Sequence, residues 1–171
     1  MKNKILIALS LISFLLFTSW MTVRMVEGYQ FNKNVSGHLK RAANANTVEM
    51  ASSELKLSID YLKENDLTSG STYIIFDTPS KDVGYWYQNL ESASSELNKV
   101  NDKTAQLEKS NLLLKLRETL TDQNSDGETE VIAPDGISIY PNNLLFAIWG
   151  WISFAFCAIC GVILAWKWFD Y

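Results

Sequence analysis

The amino-acid sequence predicts a mainly α-helical membrane protein: two transmembrane helices flank a small extramembrane helical bundle with one or two short β segments. Three observations predict it. Two uncharged apolar runs, Ile5 to Val23 and Leu144 to Trp166, stand near the two ends of the chain. The stretch between them is polar and holds no cysteine. Within that stretch apolar residues recur three, four and seven apart, the spacing of one helical face.

The second apolar run reads LLFAIWGWISFAFCAICGVILAW. At ~1.5 Å per residue it reaches ~34 Å, enough for a hydrocarbon core of ~30 Å. Trp149 and Trp151 lie towards one end, and Trp166 and Trp168 lie beside Lys167 at the other. Tryptophans at both ends form the aromatic belt of a spanning helix. Pro141-Asn-Asn143 is placed to cap it.

The first run follows Lys2 and Lys4. A basic start and an apolar core also describe a cleaved secretory signal. Phe17-Thr-Ser-Trp20, however, lacks the small residues of a cleavage site, and apolar character continues to Val23. An uncleaved signal anchor is therefore the favoured reading. Lys2, Lys4 and Lys167 favour cytoplasmic termini, although Arg24 and Lys33 vote the other way. The expected organisation is a cytoplasmic N-terminus (1–4), transmembrane helix 1 (5–23) and an extracytoplasmic helical domain (24–142). Transmembrane helix 2 (143–166) and a cytoplasmic tail (167–171) follow. The expected location is a cell membrane, the bacterial inner membrane in particular.

Residues 24–142 carry twelve basic and eighteen acidic side chains, a net charge of −6. Such a domain repels phosphate backbones, so nucleic acid is excluded as a partner. No basic stripe, Gly-rich phosphate loop or repeat is present.

Along the middle, Glu27 to Gly37 either continues the first span or forms a loop, and Asn34-Val-Ser36 matches a glycosylation acceptor. His38 to Asp66 reads as one helix, with Leu39, Ala42, Ala45, Val48, Ala51, Leu55 and Leu62 in a single stripe. His38, alone at its start, reads as a solvated residue. Leu67 to Gly70 ends the helix, and Ser71 to Asp77 favours a strand. Thr78 or Ser80 then caps a further helix, with Pro79 in its first turn. From Asp82 to Gln123 a seam runs through Trp86, Leu90, Ala93, Leu97, Val100, Thr104, Leu107, Asn111 and Leu114, four and three apart. It is either the buried face of a bundle helix or an intermolecular coiled coil. Asn101-Asp102 are good caps inside it. A break there gives three helices; no break gives a long hairpin that must dimerise. A loop follows, with a short strand expected at Ile137 to Tyr140.

Few groups are placed for chemistry. Asp122, Asn124 and Asp126 before Gly127 match the first half of a calcium loop, but Ala133 stands where the bidentate Glu belongs. A solvated acidic turn is the plainer reading. Tyr73, Phe76, Tyr85, Trp86 and Tyr87 form the densest aromatic group, either a binding candidate or the plug of the bundle core. Cys157 and Cys160 are formally a C-x-x-C, yet they lie within hydrocarbon rather than at an accessible helix start. Gly150, Ser153, Cys157 and Gly161 instead share a small-residue face, with Ser10 and Ser13 as its expected counterpart.

One histidine, no extramembrane cysteine and no metal-ligand spacing leave an enzyme little to work with. The expected function is a non-enzymatic interaction or scaffold subunit of a membrane assembly, without cofactor. Its partners would be the lipid bilayer and either another membrane protein or a second copy. The alternative is a membrane-anchored sensory or ligand-binding module. An enzyme would need a pKa-shifted carboxylate pair in a cleft.

Overall fold

A computed structural model describes residues 2–73, 78–137 and 144–169. Phe76, most of the strand expected up to Asp77, residues 138–143 with their expected strand and cap, and the last two residues lie outside them. The elements are α1 (Lys2–Phe31), a π-turn (Asn32–Ser36), α2 (Gly37–Ala43), α3 (Val48–Glu64), a 3-10 turn (Pro79–Lys81), α4 (Val83–Asn98), α5 (Gln106–Leu120), β1 (Thr121–Gln123), β2 (Thr129–Val131) and α6 (Leu144–Phe169). The chain divides into two compact units, residues 1–27 with 143–171, and residues 28–142.

The first unit holds most of α1 and all of α6. Each is long and apolar enough to cross a membrane, by length and composition. Helix outlasts the first apolar run, continuing beyond Arg24 to Ala43. Glu27 to Gly37 is therefore helical and not a loop. The glycosylation motif falls inside the π-turn, with Val35 fully buried, rather than on the surface loop that the motif requires.

Among the described residues the second unit is a bundle of four helices, α2 to α5, one more than the largest number expected. His38 to Asp66 is not one helix. Helix α2 stops at Ala43, and Thr47 starts α3 by accepting a hydrogen bond from the Met50 amide at 3.2 Å. Asn44 donates its side-chain amide to Lys40 O at 2.9 Å, and Arg117 Nε donates to Ala43 O at 3.1 Å. The first adds to the backbone bond that Lys40 O already accepts from the Asn44 amide, and the second satisfies a carbonyl left open at the end of α2. The expected stripe consequently folds back on itself: Leu39 and Ala42 on α2, and Ala51, Leu55 and Leu62 on α3, all enter one core. Helix α3 ends with Asp66 at φ 56°, and the Leu67 amide donates to Leu62 O at 2.9 Å.

The 82–123 region breaks where Asn101 stands. Asn101 Oδ1 accepts from the Lys103 amide at 2.9 Å, and Thr104 Oγ1 accepts from the Asn101 amide at 3.1 Å. These side chains offer the backbone an alternative to helix. Only the first half of the seam is buried. Trp86, Leu90 and Leu97 are in the core with Ala93 and Val100 against it, while Leu107 and Leu114 are 73% and 56% exposed. Helix α5 turns a different face inward, Leu112, Leu113, Leu116 and Leu120. The single continuous seam is thus corrected to two helices in different phase.

Neither Thr78 nor Ser80 caps α4. Asp82 does, its Oδ1 accepting from the Tyr85 amide at 2.9 Å. Ser71 forms an isolated antiparallel bridge with Asp82. The regular strands fall elsewhere, in a hairpin pairing Thr121 with Val131 and Gln123 with Thr129.

Candidate functional site

Two places bring candidate residues together, one in each unit. In the second unit, the N-terminal turn of α4 and the β1–β2 hairpin enclose a groove of about 430 Å³. Tyr85 and Trp86 line it from the helix; Asp122, Asn124 and Glu130 line it from the hairpin. The aromatic group and the acidic turn, forty residues apart in sequence, therefore share one wall-and-rim arrangement.

Local structure explains the placement. Asp82 fixes the first turn of α4, so Tyr85 points outward, 64% exposed, while Trp86 enters the core. Trp86 Nε1 donates to Ile132 O at 2.7 Å and ties the helix to the chain leaving the hairpin. Tyr87 belongs to the core rather than to the groove; its hydroxyl donates to Glu91 Oε1 at 2.8 Å. Tyr73 is exposed and does not line the groove. The acids Asp82, Asp122, Glu130 and Asp135 face the cavity, and among the described residues no lysine or arginine lines it. An aromatic wall within an acidic rim suits a cationic or amine-bearing ligand.

The half calcium loop is a hairpin turn. Asn124 Oδ1 accepts from the amides of Asp126 and Glu128 at 3.0 and 2.8 Å, and Gly127 takes φ +77°. Asn124 thus spends its oxygen on backbone. Among the described residues, no three His, Cys, Asp or Glu side chains are grouped to hold a metal ion. Asp82, Glu130 and Asp135 were missing from the sequence candidates. The β-branched residues Thr129, Val131 and Ile132 directly after the turn residues Asn124 to Gly127 are the signal that could have revealed the hairpin and its rim.

On the other side of α4 from the groove, Glu91 bridges α4 to α3, with Lys63 Nζ 3.2 Å from Oε1. The Tyr87 hydroxyl, then Lys63, hold the Glu91 carboxyl below its usual range. Burial, then Glu91, push the Tyr87 phenol up. His38 is not a plain solvated residue: it is part-buried, its Nδ1 2.6 Å from Glu54 Oε2 and 2.7 Å from Arg41 Nη2.

In the first unit, α1 and α6 run antiparallel. Ser13 Oγ donates to Ser153 O at 3.1 Å, and Trp20 Nε1 donates to Phe146 O at 3.0 Å. Ser13 meets Ser153 across the pair, but the packing is not small residue on small residue throughout. The Trp20 ring lies against Gly150, in the space a Cβ would occupy. Gly161 has nothing within 4 Å of that position and is exposed; Cys160 is the buried thiol and Cys157 is partly buried. Ser10 is partly buried. Within one chain, therefore, Gly161 takes no part in the contact between α1 and α6.

Comparison of the chain with protein-family models, with curated proteins and with solved structures finds no match in any of the three.

Proposed function

We propose that this chain is a non-enzymatic two-span membrane protein, with α1 and α6 as its spans and residues 24–142 on the extracytoplasmic side. It acts as an interaction or scaffold subunit through its helical domain. The observation that carries the reading is the unpartnered part of the seam. Leu107, Asn111 and Leu114 on α5 keep coiled-coil spacing, and all three are exposed. Leucines at d positions around an asparagine at an a position match the pattern of a parallel two-stranded coiled coil, in which the asparagine sets register. Such a face is self-complementary about a two-fold axis, so the proposed occupant is a second copy. Confinement to one membrane raises the effective concentration and offsets the shortness of the contact. The test replaces both native cysteines by serine and introduces Asn111→Cys. A disulfide between copies in native membranes, and a dimer after mild detergent extraction, are expected. A monomer with neither cross-link nor co-isolated subunit overturns the reading.

The groove favours a second reading, a ligand-binding module for a small amine. Purified chain titrated with polyamines and quaternary amines should then unfold at higher temperature, and Tyr85→Ala should abolish the gain. No gain with any cation removes this reading.

A further inference from the structure

The antiparallel helix pair carries a second cavity, about 300 Å³, on its own outer surface. Phe17, Trp20, Trp151 and Phe154 wall it, Gly150 also lines it, and Arg24 stands at its rim. Trp151 and Phe154 are 67% and 51% exposed, although each is a large apolar ring. Arg24 is exposed, with its guanidinium carbon 5.5 Å from the centroid of the Trp20 ring. Among the described residues, no carboxylate lies within ion-pair distance of that guanidinium.

We infer that this cavity is a binding site for an anionic phospholipid, with the phosphate on Arg24 and the upper part of an acyl chain against the four rings. The inference rests on the reading of α1 and α6 as membrane spans. Three features point to this occupant. A guanidinium without a protein carboxylate is the group that recognises a phosphate bidentately. Trp20 lies one helical turn below it, holding the cation by its ring face and placing it at the depth where indoles sit at the interface. The cavity walls are aromatic carbon, and what surrounds a spanning pair is lipid, so an acyl chain fills them without displacing protein. Gly150 seats the Trp20 ring, which forms one wall of the cavity.

The experiment uses the full chain in nanodiscs of equimolar phosphatidylglycerol and phosphatidylcholine. Lipids that remain after detergent release are counted by native mass spectrometry. Wild type is expected to retain phosphatidylglycerol over phosphatidylcholine by about tenfold, because both carry the phosphate but only the choline ammonium repels Arg24 and offsets the phosphate charge. Arg24→Gln should bring the ratio near one, while Arg24→Lys keeps a preference because the charge remains. Trp151→Ala should lower retention of both lipids. Circular dichroism of each variant checks that the helices persist. Equal retention of both lipids by wild type, or an Arg24→Gln variant that keeps the full preference, overturns the site. A chain that stays dispersed without lipid or detergent would instead overturn the membrane reading beneath it, so the two failures are distinguishable.

Discussion

Trp20 and Gly150 form a ring-on-backbone contact: the indole fills the place of the missing Cβ, and its N–H is donated to Phe146 O, one turn along α6, at 3.0 Å. Replacement of Gly150 by alanine must displace the ring and break that bond. The expected destabilisation of the helix pair is ~1–3 kcal/mol, the usual result of overpacking. Gly161→Ala meets open space and should leave stability unchanged. Thermal unfolding in detergent separates the two; equal effects would mean that Trp20 does not seat on Gly150.

Helix α5 offers a test of register. Leu116 is 3% exposed and Leu114 is 56% exposed, two residues apart. Leu116→Ala should cost about 2–5 kcal/mol, and Leu114→Ala only about 0.5 kcal/mol or less in the monomer. A continuous seam from Trp86 would give the opposite order. Urea unfolding of both variants decides it.

That contrast shows what was legible in the sequence and what was not. The apolar stripe from Leu39 to Leu62 identified core residues correctly, because burial follows residue type whichever way the chain turns. It could not show the turn at Asn44 to Thr47, since both halves keep the same spacing. Asn101 advertised its break through side-chain chemistry, but the change of phase beyond it depends on how α5 meets α2 and α4. The hairpin was hidden behind a calcium-like pattern, because Asn, Asp and Gly serve a tight turn as well as they serve a cation. The groove joins residues near 85 with residues near 130, and no local pattern announces such a meeting.

The Lys63–Glu91–Tyr87 group gives a pH dependence with a defined sign. Glu91 is depressed in the folded state, so its contribution is present above its unfolded value of ~4.3 and is lost as pH falls through the lower folded value. Lys63 is raised, chiefly by Glu91, and Tyr87 is raised, chiefly by burial. Their contributions are complete below unfolded values near ~10 and are lost as pH rises through the folded ones. The network therefore stabilises the bundle between those limits, modestly, because its charges face solvent. Melting temperature measured against pH should show both edges in wild type and weaker edges in Glu91→Gln. Superimposable profiles would show that the group contributes nothing.

Asn124 holds the hairpin turn with its own side chain, and this predicts indifference to calcium. Millimolar calcium should leave the melting temperature unchanged, as should Asp126→Asn. Asn124→Ala removes two hydrogen bonds to backbone amides and should destabilise by ~1 kcal/mol. A clear rise in melting temperature with calcium, lost in Asp126→Asn, would restore the cation reading.

The short hinge between α2 and α3 makes the domain open to exchange. Asn44 to Thr47 join two halves of one stripe that are complementary to each other. A straightened hinge would offer each half to the matching half of another copy, with every native contact kept. Asn44, whose side chain closes α2, thus guards against exchange as much as it forms the turn. Replacing Asn44 and Asn46 with alanine should favour helix through the hinge and yield swapped oligomers that persist on dilution in detergent, where the wild-type α5 contact dissociates, as light scattering along a dilution series would show.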